Sequence, residues 1–96
     1  MKEQLIVVYT MKGCPYCDIM KTGLKNENIS FLERDVDKES DEYDLFVKAV
    51  DGNEYVPAFM IIEIDGDKHE TKFFAPQRDY DEIKDGIKII KENYKP

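Results

Sequence analysis

The chain is poor in cysteine, histidine and positive charge, and it has no tryptophan. Two Cys, one His and 14 Lys plus Arg stand against 21 Asp plus Glu in 96 residues, for a net charge of −7. Two cysteines cannot staple a small scaffold with several bridges. Together with one histidine they also cannot complete the four-ligand set of a structural zinc site, so no metal is expected. The deficit of basic residues excludes a phosphate-binding face, and nucleic acid is not an expected partner. No apolar run approaches the roughly 20 residues that a membrane-crossing helix needs. The first residues carry one Lys before a short apolar stretch and no small-residue cleavage site, which does not read as a signal peptide. These absences lead us to expect a cytoplasmic protein and no membrane partner. Nothing hints at an oligomer, so a monomer is expected. The acidity reads as a solvated surface, or as a preference for partners with basic patches.

What is present fits a globular chain, with 42% apolar and 36% charged residues. The length fits one domain over residues 1–96. A chain of this size buries roughly 60–65% of its unfolded surface, enough for one core but not for a large enclosed substrate cavity.

The residues Leu5-Ile6-Val7-Val8-Tyr9 form a continuous β-branched run, which predicts a central strand buried on both faces. After Thr10-Met11-Lys12-Gly13, Pro15 fits the first position of a helix. Cys17, Met20 and Leu24 then recur on one helical face. Gly23 costs this helix about 1 kcal/mol relative to Ala and is expected where the helix packs closely on a strand. Asn26 to Asn28 ends the helix. Ile29 to Val36 reads as a second strand with Phe31 buried, and the crossover helix makes the pair parallel. Ser40 is expected to cap a second helix, with Asp41 and Glu42 in its first turn. Tyr43, Phe46, Val47 and Val50 form its apolar face, and Gly52 stops it. Ala58 to Ile64 and His69 to Phe74 form an antiparallel pair around the turn Asp65-Gly66-Asp67-Lys68. Pro76 breaks the fourth strand. Asp79-Tyr80-Asp81-Glu82 resembles a capping box opening a third helix, with Tyr80, Ile83, Ile87, Ile90 and Tyr94 on one face. The order β-α-β-α-β-β-α predicts an α/β fold: a four-stranded mixed sheet flanked by three helices.

The chemistry concentrates at Cys14-Pro15-Tyr16-Cys17. A disulfide across so small a loop stabilises little, so the pair reads as catalytic or metal-binding rather than structural. Cys14 occupies the N-cap position, where its sulfur faces free N–H groups including those of Tyr16 and Cys17. Those donors and the positive helix end favour an anion, so the Cys14 thiol should ionise below the ordinary value of about 8.5. The thiolate is the form that attacks disulfides. Cys17, one turn later and further inside, should remain protonated and act second, releasing the mixed disulfide. Lys12 adds positive charge nearby or is a solvated loop lysine. His69 reads as a solvent-facing strand residue rather than a ligand or base.

Cys14-Pro15-Tyr16-Cys17 directly after the first strand resembles the active site of dithiol glutaredoxins, within the thioredoxin-like superfamily. Tyr9-Thr10 and Val56-Pro57 share the likeness, which covers nearly the whole chain. The absence of Trp and of an extra strand and helix at the start is unlike thioredoxin. The resemblance implies a cis Val56–Pro57 bond beside the thiols, with Val56 backbone groups turned to pair with an extended peptide or with glutathione. It implies glutathione as the reducing co-substrate and Lys12, Tyr16, Val56, Pro57, Arg78 and Asp79 as contacts to glutathione or substrate. The family's Gly-Gly after the fourth strand is missing; the chain reads Phe73-Phe74-Ala75-Pro76-Gln77-Arg78-Asp79. Free N–H groups after Pro76, and Arg78, are then the candidates for holding a carboxylate; Arg78 also reads as a plain surface charge. Lys48 is the nearest cation on the second helix for the other glutathione carboxylate.

Three functions follow. The first is a glutathione-dependent thiol-disulfide oxidoreductase acting on protein disulfides and glutathione mixed disulfides, with ribonucleotide reductase as a client the resemblance suggests. The second is a dithiol reductase recharged by thioredoxin reductase, which the missing glycines favour. The third, an iron–sulfur cluster carrier, is opposed by Pro15.

Overall fold

The structure is a computed structural model that describes residues 2–94. Seven elements run in the order β1 (Lys2–Thr10), α1 (Pro15–Asn26), β2 (Leu32–Asp35), α2 (Ser40–Ala49), β3 (Ala58–Asp65), β4 (Lys68–Phe74) and α3 (Ile83–Asn93). They form one sheet in the order β2-β1-β3-β4. β1 pairs in parallel with β2, bringing Val7 opposite Leu32, and antiparallel with β3, bringing Tyr9 opposite Ala58. β4 returns antiparallel to β3. The α/β order expected from the sequence is the one found.

The alternation of side chains along β1 explains the two layers. Ile6 and Val8 pack with Met20 and Leu24 of α1 and Ile90 of α3. Val7 and Tyr9 point the other way, to Tyr43, Phe46 and Val50 of the α2 segment. A helix layer on each face leaves Ile6 to Tyr9 almost wholly buried, which is why their sequence run is continuous rather than alternating. Met20 and Leu24 are fully buried, each contributing about 1.5–3 kcal/mol, and they fix the seat of α1 on the sheet.

Several local expectations need correction. Ile29 is buried, but its N–H bonds back to the Leu24 carbonyl at 3.0 Å, closing the turn after α1. The strand therefore starts only at Leu32, and Phe31 is half-buried rather than buried. Glu39, not Ser40, precedes the first turn of α2, and no side chain caps it. The capping box before α3 does not form. Asp79 Oδ2 instead accepts from the Ala75 N–H at 2.8 Å, and α3 begins at Ile83 with Glu82 at its cap. Tyr80 thus lies ahead of the helix, yet its ring remains in the core, 5.6 Å from that of Phe59. Gly23 packs against α3 rather than a strand, since a Cβ there would overlap Ile87 Cδ1.

Candidate functional site

Topology brings three segments to one end of the sheet. The C-terminal end of β1 leads into the Cys14 loop. The antiparallel partner β3 starts beside it, just after Pro57, and the connection from β4 to α3 closes the third side. Gly13 has φ +77°, a left-handed turn that needs no Cβ and reverses the chain between β1 and α1. Cys14 follows in extended conformation as the N-cap of α1, and Pro15 takes the first helical position. Cys14 Sγ accepts from the Cys17 N–H at 3.2 Å, and the Asp18 N–H reaches the Cys14 carbonyl at 3.3 Å. Of the amide donors expected to face the sulfur, Cys17 N–H is thus the one that bonds it.

Cys14 and Cys17 are joined as a disulfide, with Cα atoms 5.3 Å apart. They are not equivalent. Cys14 is 9% exposed and Cys17 is 1% exposed, so an incoming sulfur meets Cys14 first. The Val56–Pro57 bond is cis. Pro57 is fully buried, and its carbonyl accepts the hydroxyl of Tyr80. Burial, with the Asp79 charge adding to it, pushes the Tyr80 hydroxyl well above its ordinary pKa. On the other side of the thiols, the buried Thr10 hydroxyl donates to Glu33 Oε2 at 2.8 Å, and Lys21 Nζ meets the same oxygen at 2.9 Å. This network ties α1 to the end of β1 and to β2. Lys21 and Thr10 together hold the Glu33 carboxyl below its ordinary pKa.

An open groove of about 710 Å³ is lined by Tyr16 and Ile19 of α1, Tyr55, Val56 and Pro57, Pro76, Gln77 and Tyr80, and Asp81 to Lys84 at the start of α3. Neither cysteine lines it, and Tyr16, which lies between them in sequence, brings it up to the pair. Tyr16, Ile19 and Tyr55 are more than half exposed, an apolar patch around the reactive pair of the kind that marks a docking surface. Tyr16, Val56 and Pro57 from the sequence-predicted set lie on this groove. Lys12 is exposed in the loop before Cys14 and does not line it, and Lys48 is exposed on α2, packed on the opposite sheet face. His69 is exposed on β4, as expected.

Arg78 and Asp79 also lie off the groove and are engaged with each other. Arg78 Nη1 meets Asp79 Oδ2 at 2.8 Å, and its Nε meets Asp51 Oδ2 at 3.1 Å. Two carboxylates therefore already occupy the guanidinium. The loop is braced further: Gln77 N–H donates to the Tyr80 carbonyl at 2.7 Å, Asp79 N–H to the Ala75 carbonyl at 3.0 Å, and the Asn53 amide to the Pro76 carbonyl at 2.8 Å. Two of the N–H groups after Pro76 are thus spent inside the loop. Gln77 sits at φ +69°, a left-handed conformation that favours glycine.

Ile19, Tyr55, Gln77, Tyr80, Asp81 and Lys84 were not singled out from sequence as groove residues. Tyr80 carried a signal, an aromatic just after a proline break, but helical periodicity absorbed it. The others are surface residues until the fold brings three distant segments together.

The sequence model of the glutaredoxin family matches residues 6–69, two thirds of the chain, including Cys14, Cys17 and Pro57. Glutaredoxin 1 of Rickettsia conorii is 35% identical over 57 residues, 58% of this chain and 56% of that protein, so the match spans little more than half of that relative. Among solved structures, a thioredoxin-like protein crystallised as a point mutant is similar at 26% identity and TM-score 0.51, over 71% of this chain and 85% of its own. A malarial protein shares the fold at 19% identity and TM-score 0.54, over 96% of this chain and 98% of its own.

Proposed function

The chain belongs to the glutaredoxin family, and on that basis we propose that Cys14 and Cys17 carry out thiol–disulfide exchange with glutathione as the reductant. The observation that carries this reading is the sulfur of Cys14 at the mouth of α1, accepting from the Cys17 N–H at 3.2 Å beside an open groove. In the reduced protein, that donor and the positive helix end favour the Cys14 thiolate over the thiol.

The thiolate attacks one sulfur of a client disulfide. A Cys14–client mixed disulfide forms, and the other client sulfur leaves as a thiolate that takes a proton. Cys17 loses its proton and attacks Cys14 Sγ, expelling the second client thiol. The client gains two electrons and two protons, and the protein is left with the Cys14–Cys17 bond seen in the structure. Two glutathione thiols then reverse the sequence, being oxidised to glutathione disulfide. Burial suits Cys17 to the second role, because an external disulfide reaches Cys14 first. Val56 offers backbone groups at the groove wall to an extended substrate. Disulfide-bearing proteins are the proposed clients, ribonucleotide reductase among them, with the protein acting as a cytoplasmic monomer.

One observation favours a second reading, recharging by a flavoprotein such as thioredoxin reductase. Arg78 is held by Asp51 and Asp79, and N–H groups of the loop after β4 are bonded internally, so they are not free for a glutathione carboxylate. A coupled assay with a small glutathione mixed disulfide separates the two. Turnover supported by glutathione, lost in Cys14→Ser and kept in Cys17→Ser, is the expected result. Turnover supported only by NADPH and thioredoxin reductase would replace the first reading with the second. Full activity in Cys14→Ser would overturn both.

A further inference from the structure

The groove beside Cys14 has an uneven charge. Three charged residues line it, Asp81, Glu82 and Lys84, all exposed. Lys84 Nζ is taken by Glu82 Oε2 at 3.1 Å. Asp81 is among the residues that line the groove, and among the described residues no Lys or Arg lies within ion-pair distance of it. Arg78, two residues beyond the Pro76 turn, is withdrawn to Asp51 and Asp79 and does not line the groove. The rest of the lining is mainly apolar, with Tyr16, Ile19, Tyr55, Val56, Pro57 and Ile83 among it.

We propose that this groove selects disulfides carried in protein segments with a Lys or Arg beside the reactive cysteine. The basic side chain lies at Asp81 and the neighbouring residues cover the exposed Tyr16, Ile19 and Tyr55. The inference rests on the exchange reaction proposed above and names its client class. A cation entering the groove meets a carboxylate with no existing partner. An acidic residue in the same place meets Asp81 and Glu82 and lacks a free cation. The overall charge of −7 acts in the same direction, steering basic segments toward the surface and slowing acidic ones. No extra redox partner is needed for the step: the reduced pair, a Cys14 thiolate and a Cys17 thiol, supplies two electrons and one proton to the bound disulfide, and water supplies the second proton.

The test uses the pre-reduced protein in single turnover, without glutathione or a reductase. Three peptide disulfides of one sequence carry Lys, Gln or Glu next to the attacked cysteine, and each rate is divided by its rate with dithiothreitol to remove intrinsic reactivity. The expected order is Lys, Gln, Glu, with the Lys peptide about threefold to fivefold faster than the Glu peptide at low salt, the size typical of an exposed ion pair. High salt should shrink this ratio, Asp81→Asn should lower it toward unity and Asp81→Lys should invert it. A ratio near one in the unmodified protein, or one that Asp81→Lys does not change, overturns the selection while leaving exchange intact. Failure to reduce any peptide overturns the exchange reading itself.

Discussion

Tyr43→Phe is expected to stabilise the protein without changing its chemistry. Tyr43 is 8% exposed on α2, and its hydroxyl oxygen is buried with no hydrogen-bond partner among the described residues. Burial, with the nearby Glu54 charge, pushes that hydroxyl above its ordinary pKa, so it is neutral at all ordinary pH values and no charge is lost with it. The ring contacts of Tyr43, at 5.7 Å from Tyr9 on β1 and 6.2 Å from Phe46 within α2 between centroids, are available to phenylalanine unchanged. A buried polar group without a partner costs about 1–3 kcal/mol, and the residual exposure of Tyr43 argues for the lower end, about 1 kcal/mol. With a urea slope of about 1 kcal/mol per M for a chain this small, the unfolding midpoint should rise by about 1 M. Urea titration of the oxidised protein measures it. Turnover should stay the same, because α2 packs on the sheet face away from α1 and α3. A lowered midpoint would refute the reasoning and mean that the hydroxyl is satisfied, by solvent or by a side chain.

Two further outcomes test the groove and its support. Tyr80→Phe leaves the buried Pro57 carbonyl without its donor, and should cost about 1–3 kcal/mol in urea titration, together with slower turnover, because Pro57 and Tyr80 both line the groove proposed to seat the substrate. Glu33→Gln removes the carboxylate shared by Thr10 and Lys21. Its folded pKa lies below the unfolded one, so its contribution is present above the ordinary value of 4.5 and is lost as pH falls through the folded value. With side chains 45% and 24% exposed, the pair is worth less than about 1 kcal/mol; the variant's deficit should be seen at pH 7 and vanish in acid.

Where burial alone dictates structure, the residues told the story. The run Ile6 to Tyr9 had to be a central strand because both of its faces needed covers, and Met20 and Leu24 had to face the sheet. Pro15 and Cys14 marked the start of α1 because an N-terminal proline and an N-cap acceptor are both local requirements. The misjudgements came where a side chain had a choice of partner. Asp79 could bond an amide of a coming helix or the Ala75 N–H behind it, and only tertiary position decides between them. Arg78 was a candidate for a ligand carboxylate, yet Asp51, 27 residues away in sequence, reaches it first. Tyr80 fitted helical periodicity, while its hydroxyl answers to Pro57 on another segment. The thiols were legible from four adjacent residues, whereas the groove is assembled from three segments that no local pattern joins.

The central claim is that Cys14 is held as a thiolate by the Cys17 N–H and the positive end of α1. Ultraviolet titration of the reduced Cys17→Ser protein follows that one sulfur. An ionisation midpoint well below the free-thiol value of about 8.5 is the expected result, and a midpoint at or above it would contradict the account.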